Sequence, residues 1–268
     1  MSLPLLLKDL KNNIILLLVF VVMMSIYLSV IIFMYDPSGI GAFMDMMSLL
    51  PVSLVNALGF STVDAGLTGF IASLYYGFLI YLFPMVYCII LGNRLVVKWV
   101  DDGSFACLLS TPNSRIKIIF TQGLYMLLSI MFLFIILYIV GIGVSASLFK
   151  GVLDVLIFSK LNLSACLMTM TIGMICFFFS CVFNNTNLSL LFGAGIPILF
   201  FLFDMFGGMA QSLAFLKKYS LYSLFNGLAI IKGEANITMI STVFAVTILL
   251  LFAGSIAIFQ YKRLPIQG

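Results

Sequence analysis

Long apolar runs separated by short polar interruptions set the layout of this chain. The runs cover residues 13–34, 68–97, 116–144, 161–182, 188–203 and 238–261. A helix needs about 20 apolar residues to cross the hydrocarbon core of a bilayer. Lipid offers the backbone no hydrogen-bond partners, so runs of this kind must be helical. The pattern predicts an all-α polytopic membrane protein: one membrane domain over residues 1–268 with six transmembrane helices. The second and third runs are long enough to project beyond the membrane, and Pro84 is expected to kink the second. The fourth and fifth form a close pair joined by Phe183-Asn184-Asn185-Thr186-Asn187. Ahead of the first run, Leu3, Leu5, Leu6, Leu7 and Leu10 mix with Lys8, Asp9 and Lys11, which predicts a short N-terminal interfacial helix.

Composition agrees and narrows the chemistry. Hydrophobic residues make up 63% of the chain and charged residues only 8%, against about 25% charged in a soluble domain. Histidine is absent and Glu234 is the single glutamate, which removes most general acids, bases and metal ligands. Cys88, Cys107, Cys166, Cys176 and Cys181 form no C-x-x-C pair and read as small hydrophobes within the spans. No G-x-x-x-x-G-K-[ST] phosphate loop is present. An intramembrane aspartyl protease needs two facing carboxylates, and only Asp204 approaches membrane depth. No catalytic residue, metal site, resident cofactor or nucleic-acid partner is therefore expected.

The Lys and Arg residues set the orientation. One side carries Lys8, Lys11, Arg94, Lys98, Arg115, Lys117, Lys262 and Arg263. The other carries Lys150, Lys160, Lys217, Lys218 and Lys232, most of them in longer loops. Both termini are expected to be cytoplasmic, in the cell membrane. Of the outward loops, 35–67 is expected to rest on the membrane surface, and 207–237 to be re-entrant or interfacial.

Within the spans, Tyr75 and Tyr76 suit an interfacial aromatic belt, whereas Tyr81 and Tyr87 lie deeper and need partners or a wet pathway. Tyr81, Tyr87 and Asp204 are candidates for a substrate path; they equally suit simple packing and, for Asp204, a water-exposed interface position. Gly193, Gly195 and Pro197 mark a packing seam or a loosened helix.

The densest charge lies between the second and third runs. There Asp102-Gly103 predicts a turn, and Asp101 or Asp102 is placed to cap a short helix over Ser104 to Leu109. Thr111-Pro112 stops that helix, and Asn113 or Ser114 can cap the third span. Phe105, Leu108 and Leu109 are large apolar residues on a segment that must lie in water, which points to a docking surface.

This segment, Asp101-Asp102-Gly103-Ser104-Phe105-Ala106-Cys107-Leu108-Leu109-Ser110-Thr111-Pro112-Asn113-Ser114-Arg115, resembles that of ABC-2-type transporter permease subunits. Those permeases carry an acidic-Gly stretch followed by Leu-Leu-Ser/Ala-Thr-Pro-x-Ser-Arg. The six-span layout, Gly193-Ala194-Gly195-Ile196-Pro197 and Tyr261-Lys262-Arg263-Leu264-Pro265-Ile266 agree with the same family, most closely its small Gram-positive exporters. Tyr222-Ser223-Leu224-Phe225-Asn226-Gly227 departs by Asn-Gly from the usual Leu-Phe-Asp-Pro. The resemblance implies that the segment is a cytoplasmic coupling helix seated in a separate ATP-binding subunit, which holds the ATP and Mg. It also implies a second permease copy, identical or related, and export of an amphipathic cargo such as a peptide. Phe105, Leu108 and Leu109 would fill the cleft of the ATPase, while Asp101, Asp102 and Arg115 would fix the register. The competing class is a self-sufficient secondary transporter or channel.

Overall fold

Each apolar run becomes helical, and among the described residues six helices are long and apolar enough to cross a membrane. The computed structural model describes residues 2–36, 49, 51, 55, 66–105, 114–209 and 211–262. The first span is α1 (Leu3–Phe33). The second comprises α2 (Leu67–Leu74), a π turn (Tyr75–Leu79), α3 (Ile80–Leu95) and α4 (Val97–Asp101). The third to fifth spans are α5 (Arg115–Leu148), α6 (Val155–Val182) and α7 (Thr186–Met209). Two 3₁₀ segments (Gln211–Tyr219 and Tyr222–Leu224) and α8 (Gly227–Ile231) lead to the last span, α9 (Ile237–Tyr261).

Several boundaries differ from the apolar pattern, for local reasons. Helix α1 starts at Leu3 with proline in its first turn and runs unbroken, so the expected interfacial helix is not a separate element. Helix α6 starts ahead of residue 161 because Asp154 caps it, its Oδ1 accepting from the Leu156 and Ile157 amides at 3.0 Å each. Helix α7 continues past residue 203 and takes Asp204 into its last turns. In the second span the helix departs from α geometry at the π turn, just ahead of Pro84, which cannot donate to the Ile80 carbonyl, and breaks again at Val96.

Helix α6 is the hub. It packs against α3, α5, α7 and α9, and 72% of its most apolar stretch is buried, against 17–50% in the other spans. Small residues make this possible, because helices in lipid gain from close backbone approach. A Cβ on Gly92 would sit 2.9 Å from the Cys176 Cβ, so α3 and α6 nearly touch there. The Cys176 thiol donates to the Gly193 carbonyl at 3.1 Å and joins α6 to α7. Cys88, Cys166, Cys176 and Cys181 are all free and buried. Ser180 accepts from the Val97 amide at 2.9 Å, where the break at Val96 leaves that amide without a helical partner.

Ser2 donates its amide to Thr121 at 2.9 Å and Arg115 reaches the Lys262 carbonyl, so both described ends share one side, here the near side. The loop 183–185 lies there too. The turn at 149–154 and the segment 211–236 lie on the far side. That segment folds back into the bundle: Tyr222 is fully buried and Phe225 is 2% exposed. Ser220 Oγ donates to the Phe200 carbonyl at 2.7 Å. Asn226 explains the Asn-Gly departure, since its Oδ1 caps α8 through the Leu228 and Ala229 amides.

Candidate functional site

The near-side segment between the second and third spans is tied to later parts of the chain at three places. Helix α4 ends at Asp102, and Gly103 turns the chain with a φ of +71° that suits glycine. Asp101 Oδ2 accepts from the Thr186 amide at 3.2 Å, which places a carboxylate at the positive end of α7. Phe105 is 2% exposed, its ring 5.1 Å from that of Phe259 near the end of α9. Arg115 Nη1 donates to the Lys262 carbonyl at 2.9 Å.

Lys262 closes the assembly. Its Nζ donates to the Cys181 and Phe183 carbonyls at 2.9 and 2.6 Å, the acceptors left open where α6 ends. Burial lowers its pKa from 10.5 to about 8, with the Cys181 thiol acting in the opposite sense. On the other flank, Ser104 Oγ donates to the Trp99 carbonyl at 3.3 Å. Lys8 Nζ lies 4.9 Å above the Trp99 ring. Ser114, one of the two expected caps of the third span, accepts from the Lys117 amide at 3.3 Å.

Three of the expected site residues have partners within the chain. Asp101 meets the start of α7 through the Thr186 amide, and the helix it was expected to cap lies largely outside the described residues. Phe105 packs into its own bundle. Arg115 is engaged by the Lys262 carbonyl. Asp102 lines an open near-side pocket with Arg94 and Lys98. Leu108, Leu109, Ser110, Thr111 and Pro112 lie outside the described residues.

On the far side, Tyr81 and Asp204 come together in a cavity of about 170 Å³, with Tyr76, Phe201, Lys217 and Asn226 also in its lining. The Tyr81 hydroxyl donates to the Phe225 carbonyl at 3.1 Å and that of Tyr76 to Asn162 Oδ1 at 3.2 Å. Asp204 and Lys217 supply the charged groups of this space. Tyr87 is not part of it; its ring lies 5.4 Å from Phe20 of α1. The expected path through Tyr81, Tyr87 and Asp204 is thus divided between two places. Tyr75 and Tyr76 are each 1% exposed and form no aromatic belt. Gly193 and Pro197 are buried, Gly193 against Cys176, whereas Gly195 faces open space.

Two features escaped the sequence pattern. Lys262 looks like an ordinary basic flank, and nothing near it in the chain marks its carbonyl partners. A near-side pocket of about 490 Å³ joins Asp9, Asn12 and Asn13 to Arg94 and Lys98; the Asn12-Asn13 pair at the edge of an apolar run was the only available signal. Among the described residues, no group of three or more His, Cys, Asp or Glu is placed to hold a metal ion. Compared with known proteins, the chain matches no family model, no curated protein and no solved structure.

Proposed function

We propose that this chain is the membrane subunit of an ATP-driven exporter of the ABC-2 type, and that the segment from Asp101 to Arg115 receives the motion of a separate ATP-binding subunit. One observation carries this reading. The two flanks of the segment are fastened to three different spans: Asp101 to the start of α7, Phe105 to the end of α9, and Arg115 to Lys262, which itself holds the end of α6. A push on residues 106–113 would therefore reach the fourth, fifth and sixth spans as well as the second and third. A plain connecting hairpin needs only caps and a turn.

In this reading the near side is cytoplasmic, consistent with its share of Lys and Arg, and the membrane is the cell membrane. ATP and Mg belong to the partner subunit, and a second permease copy completes the transporter. With Phe105 turned inward, Leu108 and Leu109 remain as the apolar contacts for the ATPase. The cargo is an amphipathic molecule such as a peptide, which meets the aromatic far-side cavity with its charged Asp204 and Lys217.

Co-purification tests it. An ATP-binding subunit encoded beside this chain should be retained by the wild type and released by Leu108→Asp, with the permease still folded. Transport that proceeds with no ATPase partner would replace this reading with that of a secondary transporter or channel.

A further inference from the structure

A group of buried polar atoms without hydrogen-bond partners lies between the first three spans, toward the near side. Asp9 is 4% exposed and its Oδ2 has no partner. Gln122 is 1% exposed, and neither its Oε1 nor its Nε2 is bonded. The hydroxyls of Tyr87 and Tyr125 are also unpaired. Gln122, Tyr125 and Ser129 recur at helical spacing on one face of α5. Asp9 interacts electrostatically with Tyr125, and Tyr125 with Tyr87, so the groups form one cluster. Ser129 interacts with the Tyr87 hydroxyl without closing a hydrogen bond of good geometry, and gives its own proton to the Met126 carbonyl at 2.8 Å.

One buried unsatisfied polar group costs about 1–3 kcal/mol, so five in one place need an occupant. The group types identify it. Asp9 Oδ2 and Gln122 Oε1 accept, Gln122 Nε2 donates, and the two phenols do either. A metal cation would serve only the acceptors, whereas water serves both. Access is also present, because Asp9 lines the near-side pocket of about 490 Å³ with Asn12, Asn13, Arg94 and Lys98. A single water needs only about 10–15 Å³ and two to four polar partners.

We propose that this pocket and cluster form a water-filled inlet. Water enters between α1 and the end of the second span, hydrates Asp9, and is held by Gln122 and Tyr125 as far as Tyr87. The inlet ends where Tyr87 meets Phe20. From residue 9 to residue 20 is about 16 Å of helix, roughly half of a hydrocarbon core about 30 Å thick. Farther along the bundle, Tyr75 and Tyr76 are as buried as Tyr87, but they donate to the Met24 carbonyl and Asn162. This inlet is independent of any transport role.

Hydroxyl-radical footprinting by water radiolysis tests it on the full chain in lipid nanodiscs. Bound water should lead to oxidation of Tyr87 and Tyr125 severalfold faster than that of Tyr75 and Tyr76, which are equally buried. Gln122→Leu should bring Tyr125 down toward the Tyr75 rate. Equal protection of all four tyrosines would overturn the proposal. Equal oxidation of all four would do so too, because it would mean a generally loosened bundle. The wild-type comparison decides even if the variant does not fold.

Discussion

Phe105 and Phe259 meet with ring centroids 5.1 Å apart and planes inclined at 59°, the first just after α4 and the second near the end of the last span. Both are at most 2% exposed. This contact makes a residue that looked like part of a docking surface into a peg that ties the end of the second span to the last one.

Truncating that peg should be costly. Phe105→Ala is expected to destabilise the protein by about 3 kcal/mol, since a buried ring leaves a cavity its neighbours fill only in part. Phe259→Ala should behave alike, and the double variant should lose less than the two singles together, by about 1 kcal/mol. Thermal unfolding of the purified protein in detergent measures all three. Strict additivity would mean that the rings do not act as a pair.

Lys262 links stability to pH in a defined direction. Its folded pKa, about 8, lies below its ordinary value of 10.5 because burial disfavours the ammonium. Between those values the unfolded chain holds the proton and the folded chain does not, so stability rises with pH across that window. Below about pH 8 the burial penalty is fully present and constant. The melting temperature of the wild type should therefore gain on that of Lys262→Met as pH is raised from 8 toward 10.5. A gap that stays constant or narrows would contradict this assignment.

The far-side cavity makes a separable prediction about cargo. If Asp204 meets the charged part of an amphipathic substrate, Asp204→Asn should weaken export of a cationic amphiphilic dye by about tenfold, the equivalent of ~1.4 kcal/mol. Tyr87→Phe should leave that export unchanged, because Tyr87 lies apart from the cavity, against Phe20. Efflux assays in cells producing matched amounts of each variant separate the two. Equal losses in both would dissolve the distinction between the two sites.

How far the chain could be read in advance depended on the range of each interaction. The apolar runs determined the number of spans, because each helix must hide its backbone from lipid within its own length. The Gly103 turn and the caps at Asp154 and Ser114 depend on neighbours a few residues away. Side-chain partnerships across the bundle were not legible. Asp101 was a good cap by type, but the amide it serves belongs to Thr186, 85 positions on. Phe105 was correctly marked as needing cover, yet hydrophobicity does not say whether that cover comes from within the chain or from a partner. A uniformly greasy helix also hides which of its faces turns inward, so the central place of α6 and the division of Tyr81 from Tyr87 emerged only from packing. The sequence by itself determined six helices long and apolar enough to cross a membrane, and roughly where the polar segments between them lie. Only the tertiary structure decided what those segments hold, because that depends on contacts between residues far apart in the chain.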